Sequence, residues 1–288
     1  MLWRRREFLL ASAATLAASP AALAAGRSKL KLGLVTYNWG KDWDVPTVIR
    51  NCEATGFAGV ELRSTHKHGV EISLNDQQRR EVKQRFADSD VELVGLGSAC
   101  EYHAVDPAIV QKNIEETKQF VKLCHDVGGT GVKVRPNGLP RERPVHETLA
   151  QISRCLNEVG KYAADFGVQI RVEVHGRGTS EIPRMKTIMD RADHPNVVVC
   201  WNCNQADLKY AGLEANYRSL QDRMGTIHIH DLRDESYPWK QLFPLLQKTQ
   251  AESFTGWTLM EEGKVPEDIV GSMKANHELW TQLVSTTS

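Results

Sequence analysis

The stretch VQIRVEVHG, residues 168–176, alternates apolar and polar side chains in the pattern of a β-strand. Successive side chains of a strand point to opposite faces, so Val172 and Val174 share one face. Glu173 and His175 share the other face. If helices cover the outside of the sheet, the valines pack against them and the polar side chains point inwards. The stretch therefore predicts a strand that carries chemical groups on its inner face.

Seven further stretches have the composition of β-strands, and longer amphipathic stretches separate them. These strand candidates are KLGLVTY (31–37), FAGVELRS (57–64), VELVGLGSA (91–99), GVKVRPN (131–137), NVVVCWNCN (196–204), GTIHIHDL (225–232) and GWTLMEEG (256–263). Each is short, as strands of a compact domain are. The chain thus predicts eight strands.

The longest intervening stretch, residues 106–128, predicts a helix. Its apolar residues recur at helical spacing, and Gly128 is placed to end it. The residues expected on its buried face are Ile109, Ile114, Phe120, Val121 and Cys124.

Strict alternation of strands and helices predicts a parallel sheet with crossover helices. Eight such units within about 260 residues match the usual size of a (β/α)8 barrel. An open, doubly wound sheet would carry a glycine-rich phosphate turn after its first strand, and KLGLVTY is not followed by one. We therefore expect an α/β protein with a single TIM-barrel domain over residues 26–288.

Residues 1–25 are expected to be a signal peptide. They combine a basic start, an apolar run of alanine and leucine, and small residues around Ala24 that suit cleavage. Within them RREFL, residues 5–9, resembles the twin-arginine signal that directs folded proteins to the Tat export machinery. This interpretation predicts a bacterial protein exported to the periplasm. An ordinary secretory signal and an uncleaved anchor are the alternatives.

The net charge argues against a nucleic-acid partner. The whole chain has 36 basic and 36 acidic residues. Residues 1–25 contain three arginines and one glutamate, so the remaining chain has a net charge of −2. Proteins that bind nucleic acid usually present a basic surface to its phosphates. No later segment is long and apolar enough to span a membrane, so we expect a mature form that is not membrane-spanning.

Polar residues follow the predicted strands. Active sites of (β/α)8 barrels lie at the carboxyl ends of the strands, so these side chains form the candidate site. His228 and His230 share the inner face of the seventh strand, because apolar residues alternate with them. Buried imidazoles need partners, and a metal ion is one. Together with the carboxylates of Glu173 and Glu261, neutral imidazole suits a divalent ion such as Mn, Zn, Co or Fe.

These motifs resemble the xylose-isomerase-like TIM-barrel family, which includes sugar isomerases and epimerases. The segments that carry the resemblance are GFAGVELR (56–63), RVEVHG (171–176), VVVCWNCN (197–204), GTIHIHD (225–231) and GWTLMEEG (256–263). In the epimerase branch one metal ion is held by a Glu after the fifth strand, an Asp after the sixth, a His on the seventh and a Glu on the eighth. The resemblance implies one divalent ion (Mn, Zn, Co, Fe or Mg) held by Glu173, Asn202, His230 and Glu261.

Asn202 departs from the family pattern. The family often has an Asp followed three residues later by a His, whereas this chain has Asn202 and Gln205. An amide oxygen is a neutral ligand, so we expect the ion to be held more weakly, or with the participation of His175 or His228. His228 itself is assigned to the surroundings of the ion or to substrate contact.

The resemblance also implies a reaction. Glu173 and Glu261 are the expected catalytic residues: one removes the hydrogen beside a carbonyl, the ion stabilises the enediolate, and the other returns a proton. The chain is thus expected to be an isomerase or epimerase of a free or oxidised sugar. The residues expected to contact the substrate are His66, His68, Glu101, His103, Lys133, Arg135, His175 and His228.

Plainer interpretations of these contacts stay open. Lys133 and Arg135 can simply pair with Glu101 and Glu173, because buried cations need anions nearby. The loops after the second and third strands carry His66, His68, Glu101 and His103. The sequence fits equally well with these side chains being exposed to solvent and contacting no substrate.

Two other functions also stay open, and a third is disfavoured. A lyase acting on a 3-keto-glycoside would form the same enediolate and then expel the neighbouring substituent. A non-catalytic periplasmic carbohydrate-binding protein would follow from a decayed metal site, and Asn202 is the argument for it. Phosphodiester cleavage on a zinc cluster, as in the AP-endonuclease branch, would need an Asp/His pair that residues 202 and 205 lack. The sequence predicts no oligomeric state.

Overall fold

The computed structural model describes residues 29–285, and within them eight parallel strands close into one barrel. The strands are β1 (Lys31–Val35), β2 (Gly59–Arg63), β3 (Glu92–Glu101), β4 (Gly131–Arg135), β5 (Gln169–Glu173), β6 (Val197–Asn202), β7 (Met224–Ile229) and β8 (Trp257–Met260). Neighbours in the chain are neighbours in the sheet, and β1 pairs with β8. The predicted (β/α)8 barrel is confirmed. The predicted signal peptide, residues 1–25, lies outside the described residues.

A layer of helices surrounds the barrel. The helices are α1 (Val45–Thr55), α2 (Asp76–Ala87), α3 (Pro107–Val127), α4 (Val145–Ala164), α5 (Ile182–Arg191), α6 (Gly212–Leu220), α7 (Trp239–Lys248) and α8 (Ile269–Ser285). Short 3-10 turns at Gln205–Leu208 and Gln221–Arg223 flank α6. Between residues 29 and 285, none of the helices combines the length and the apolar composition needed to cross a bilayer.

Helix α3 matches the predicted helix except at one position. Asp106 caps its start by accepting from the backbone N–H of Ala108, and Gly128 ends it in the left-handed conformation (φ 90°). Ile109, predicted to lie on the buried face, is 50% exposed. Val110 is buried in its place, because the helix presents the row that contains Val110 and Ile114 to the barrel.

The inside of the barrel carries a charged side chain among glycines. Arg171 of β5 is fully buried and points inwards, as the strand alternation predicts. Its guanidinium donates to Val94 O (2.9 Å) and to Thr130 Oγ1 (2.9 Å). A Cβ at Gly131 would lie 2.3 Å from Arg171 Cζ, and one at Gly95 would lie 2.9 Å from a guanidinium nitrogen. Glycine at these positions therefore makes room for the arginine.

Candidate active site

Five polar side chains meet inside the mouth of the barrel, at the carboxyl ends of neighbouring strands. Each of them is at most 9% exposed. They are Lys133 of β4, Glu173 of β5, Asn202 of β6, His228 of β7 and Glu261, directly after β8. The backbone N–H of Glu261 donates to Ile229 O (2.9 Å), so strand pairing extends to this residue. The inner faces of parallel strands bring the groups together, because side chains at similar heights in a barrel form one layer.

Asn202 joins the two glutamates. Its Nδ2 donates to Glu173 Oε1 (2.7 Å) and lies 3.3 Å from Glu261 Oε2. The two carboxylates, predicted as the catalytic pair, thus converge on a single nitrogen atom.

Lys133 and Glu173 form a buried ion pair, which is one of the two interpretations that the sequence allows for Lys133. Its Nζ donates to Glu173 Oε2 (2.8 Å). Burial raises the pKa of Glu173, but Lys133 and His228 outweigh this effect and hold the pKa well below its ordinary value. Burial and the Glu173 carboxylate raise the pKa of Glu261, but His228 and Lys133 together lower it below its ordinary value. Both carboxyl groups are therefore ionised at neutral pH.

His228 lies among three carboxylates. Its Nδ1 is 3.3 Å from Glu261 Oε2 and 3.7 Å from Glu173 Oε1, and its Nε2 is 3.4 Å from Glu61 Oε1. Burial lowers the pKa of His228, but Cys200, Glu261 and Glu61 together raise it well above its ordinary value. Glu61 was not among the predicted site residues. The alternation of polar and apolar residues in FAGVELRS is the sequence feature that places it on the inner face of β2.

His230 lies at the end of the same strand and also reaches Asn202. Its Nδ1 is 2.6 Å from the backbone oxygen of Glu261, and its Nε2 is 3.0 Å from Asn202 Oδ1. A carbonyl oxygen only accepts, so Nδ1 carries a hydrogen. Nε2 also faces a carbonyl oxygen, that of the Asn202 side chain, whose amide nitrogen lies beside the two glutamates.

A second polar network lies at the ends of β3, β4 and β5. Glu101 Oε1 accepts from Arg135 (2.6 Å) and from the side-chain amide of Asn137, and Asn137 Oδ1 accepts from His175 Nδ1 (2.8 Å). His103 Nδ1 is 3.7 Å from Glu101 Oε2. The backbone of Asn137 adopts the left-handed conformation (φ 55°). Asn137, which was not among the predicted contacts, thus joins two of them, Glu101 and His175.

The two histidines after β2 are placed differently. His68 is buried, with Nε2 2.7 Å from Arg63 O, while Nδ1 accepts from the backbone N–H of Val70 (3.0 Å). Burial lowers the pKa of His68 to about 4. Both of its ring nitrogens are thus engaged by backbone atoms, one in the last residue of β2 and one in the loop that follows. His66 is partly exposed, and its Nε2 lies 3.4 Å from the guanidinium of Arg63.

Comparison with known proteins agrees with this architecture. Residues 49–282 match the family model of the xylose isomerase-like TIM barrel. The chain belongs to the xylose isomerase-like TIM-barrel family. An L-ribulose 3-epimerase of Methylomonas sp. (strain DH-1) is 24% identical over 213 residues, which cover 70% of this chain and 72% of the relative.

Solved structures share the fold of this family member. A structure of L-ribulose 3-epimerase superposes with a TM-score of 0.76 at 15% identity, covering 90% of this chain and 95% of the other. The 3-keto-D-glucoside 4-epimerase YcjR from E. coli gives 0.73 at 14% identity, with coverages of 88% and 99%. The IOLI protein with a binding zinc atom gives 0.73 at 16% identity, with coverages of 90% and 99%.

The side chains of this xylose isomerase-like barrel fit a divalent metal ion. Glu173, His228 and Glu261 each offer a ligand atom, and these atoms lie within 4.8 Å of one another. His230 offers a second imidazole beside this group: its Nδ1 is bound to a backbone carbonyl, as one nitrogen of a ligating histidine commonly is, and its Nε2 lies 3.0 Å from Asn202 Oδ1. Two carboxylates and an imidazole are suitable donors for Mn, Zn, Co or Fe.

Asn202 fits the ion in one of its two amide orientations. It presents Nδ2, a donor, to the carboxylates and Oδ1 to His230. Ligation by Asn202 requires the oxygen atom, so the amide must turn about its Cβ–Cγ bond. The family's aspartate would need no such turn, because both of its terminal atoms are acceptors.

Proposed function

We propose that this chain is a metal-dependent enzyme that moves a proton at a carbon beside a carbonyl group of a sugar, as an isomerase or epimerase does. The convergence of the Glu173 and Glu261 carboxylates on Asn202 Nδ2 carries the proposal. A proton-transfer reaction of this kind needs one base and one acid on either side of a carbon atom. Two carboxyl groups held side by side at the mouth of a barrel can flank a substrate in this way, once the group that acts as the acid has taken up a proton.

The relatives support the same class of reaction. The curated relative is named an L-ribulose 3-epimerase, and solved structures of the same fold are named L-ribulose 3-epimerase and 3-keto-D-glucoside 4-epimerase. The prediction that the chain is an enzyme agrees with these names. In the proposal, Glu173, Glu261, His230 and Asn202 hold the ion, with His228 as the alternative imidazole.

The surroundings of the two glutamates assign them different roles. Glu173 is paired with Lys133 and also accepts from Asn202, so its carboxylate is fixed and weakly basic. Glu261 lacks an ammonium partner of this kind and is the more accessible of the two. We therefore assign the first proton abstraction to Glu261. A divalent ion, when bound, supplies positive charge at the carbonyl oxygen on which negative charge develops.

The test combines metal analysis with proton exchange. We expect near-stoichiometric Mn, Zn, Co or Fe in the purified protein, and deuterium uptake from D2O into the carbon beside the carbonyl of a responsive keto sugar. Glu173→Gln and Glu261→Gln should lose the metal and slow exchange by about 10²–10⁴-fold. Glu92→Gln is the matched control, because Glu92 is exposed at the opposite end of the barrel. A protein that binds no metal after incubation with each ion, and exchanges no proton, would overturn the proposal and favour the binding-protein alternative.

A lyase acting on a 3-keto-glycoside is the second candidate. It shares the proton abstraction and differs in the next step, in which the substituent on the neighbouring carbon leaves. The open space beyond His230, lined by the loops after β7 and β8, favours a substrate with such a substituent. Product analysis separates the candidates, because elimination releases an alcohol or a second sugar and epimerisation does not.

We also propose export through the Tat machinery to the periplasm. The RREFL sequence at residues 5–9, followed by an apolar run, supports this proposal. Fractionation of a bacterium that expresses the chain tests it. The protein should appear in the periplasm, and replacement of Arg5 and Arg6 by lysine should retain it in the cytoplasm.

A further inference from the structure

Arg63 ends the inner face of β2, at the mouth of the barrel. Val60 and Leu62 of this strand belong to the core that includes the helices, so Glu61 and Arg63 share the opposite, inner face. Glu61 is fully buried, and its Oε1 lies 3.4 Å from His228 Nε2. Arg63 is the last residue of the strand and is only partly buried. Its side chain therefore lies one step nearer to the open end of the site than Glu61 does.

The ring of Tyr37 supports the Arg63 side chain in this position. Arg63 Cζ lies 5.2 Å from the centre of the ring, within the range of a cation–π contact. Tyr37 in turn packs against the apolar side chains inside the barrel, which are Val35, Val94, Trp257 and Leu259. The guanidinium is thus held on an aromatic surface that faces the interior of the mouth.

Arg63 lacks the kind of partner that the other inner cations have. Lys133 and Arg135 each form an ion pair with a glutamate of a neighbouring strand, at 2.8 and 2.6 Å. Arg171 donates to two oxygen atoms inside the barrel. Among the residues that the structure describes, no carboxylate lies within 4.0 Å of the Arg63 guanidinium, and its polar contact is with His66 Nε2 at 3.4 Å. Most of its donors are therefore free for a ligand.

The strand beside Arg63 carries no side chain at this level. Arg63 pairs with Gly97 of β3, and Gly97 pairs with Lys133 of β4. Lys133 holds Glu173, one of the two carboxylates assigned to proton transfer. A ligand bound at Arg63 can therefore extend towards the reacting groups, because β3 presents only the backbone of a glycine between the two cations.

The carboxylates of the site leave the charge of Arg63 uncompensated, because cations lie beside them. Glu173 is paired with Lys133 at 2.8 Å, and Glu261 Oε2 lies 3.3 Å from His228 Nδ1. A guanidinium has parallel N–H donors that match the two oxygens of a carboxylate, and charge-assisted bonds of this kind are stronger than those to a neutral hydroxyl. The position of Arg63 thus favours a substrate with a negatively charged, planar group.

We propose that Arg63 is a specificity-determining residue that binds a carboxylate of the substrate, and that the substrate is a keto sugar acid rather than a neutral sugar. The carboxylate lies on the guanidinium beside Tyr37, and the carbon that loses its proton lies at Glu173 and Glu261. This inference rests on the proposed function for the position of the reacting carbon, while its test measures binding.

The experiment compares three sugars that differ only in a carboxylate. D-fructose has none, 2-keto-D-gluconate has one at C1, and D-fructuronate has one at C6. Each is titrated by calorimetry into the purified protein, whose metal content is measured in the same sample. We expect at least one of the two acids to bind about tenfold or more tightly than D-fructose. Added NaCl should weaken the binding of that acid more than the binding of D-fructose.

Two variants assign this preference to Arg63. Arg63→Met should raise the Kd for the preferred acid by about tenfold or more and leave the Kd for D-fructose within about threefold, because only the acid loses an ionic partner. Arg63→Lys should retain part of the preference, since it keeps the charge and loses the paired donors. Arg85→Met is the matched control, because Arg85 is exposed in the last turn of α2. Thermal unfolding followed by circular dichroism verifies that each variant is folded.

The outcomes separate this inference from the proposed function. Failure of both acids to bind more tightly than D-fructose would overturn the inference and leave the proton-transfer proposal to its own test. A preference for an acid that persists in Arg63→Met would overturn it as well, because the metal ion or another cation would then hold the carboxylate. A preference that depends on Arg63, without deuterium exchange at the carbon beside the carbonyl, would support the inference and contradict the proposed reaction.

Discussion

Lys133 Nζ lies 2.8 Å from Glu173 Oε2, and both side chains are buried at the centre of the candidate active site. The ammonium neutralises one of the two carboxylates that a metal ion needs. It also fixes that carboxylate, so that Oε1 of Glu173 faces Asn202. The site therefore contains the positive charge of Lys133. It also contains the neutral amide of Asn202, at the position where the family often has an aspartate. Both features weaken the attraction for a dication.

Replacing Lys133 by Met should strengthen metal binding. The positive charge near the ion is lost, so we expect the Kd for Mn²⁺ to fall by about tenfold or more. The metal-free variant should be less stable by about 3–5 kcal/mol, because the Glu173 carboxylate stays buried without its partner. Calorimetric titration and urea unfolding measure the two effects. Lys31→Met is the control, since Lys31 forms an exposed ion pair with Glu92 (3.2 Å). An unchanged Kd in Lys133→Met would contradict the argument.

Replacing Asn202 by Asp should also strengthen metal binding. The variant supplies a third carboxylate and removes the need for the amide to turn, so we expect the Kd for Mn²⁺ to fall by about 10–100-fold, ~1.4–2.8 kcal/mol. Without metal, the new carboxylate faces Glu173 and Glu261, and the free energy of unfolding should decrease. Comparison of thermal unfolding with and without Mn²⁺ shows both effects at once. A variant that Mn²⁺ does not stabilise more than the parent would argue against Asn202 as a ligand.

Asp207 should make stability depend on pH. Its Oδ2 accepts from Tyr237 (2.8 Å) and from the backbone of Asn204 (2.9 Å), and burial raises its pKa to about 7. The titratable groups that face it are Tyr237 and Cys203, and the pKa of each is raised, so both are neutral near pH 7. The folded state thus holds the Asp207 proton more tightly than the unfolded state. This contribution to stability is complete below the unfolded pKa near 3.8 and is lost as the pH rises towards 7.

The variant Asp207→Asn should remove this dependence. At pH 8 we expect it to be more stable than the parent by about 2–4 kcal/mol, because the parent must bury a charged carboxylate. At pH 5 the advantage of the variant should be smaller, about 1–2 kcal/mol, because the parent has lost only part of this contribution. Urea unfolding at both pH values measures the difference. The same difference at pH 5 and pH 8 would show that the carboxyl does not titrate in this range.

Gly131→Ala should destabilise the barrel from inside. The new methyl group would lie 2.3 Å from Arg171 Cζ, and this fully buried side chain has little room to move. We expect the free energy of unfolding to decrease by about 1–3 kcal/mol. Gly263→Ala is the control, because the nearest atom to its Cβ is 4.0 Å away. Equal stability of the two variants would mean that Arg171 moves aside without cost.

The periodicity of the sequence was sufficient to predict the barrel. Alternation with a period of two marks each strand, and helical spacing marks the segments between strands, so eight repeated units specify a closed parallel sheet. The same alternation correctly places Arg171, Glu173 and His228 on the inner face. These predictions depend on neighbours in the chain, which the sequence shows directly.

Only the tertiary structure decided which partners these inner side chains have. The sequence left Lys133 with either Glu173 or a substrate, and it assigned His68 to a substrate although both of its ring nitrogens contact backbone atoms. It could not show that Glu61 reaches His228 or that Asn202 Nδ2 lies between the two glutamates. The physical reason is that a hydrogen bond or ion pair depends on distances near 3 Å between residues from different strands. The register of the closed barrel sets these distances, whereas the periodicity of a single strand determines only the face on which each side chain lies.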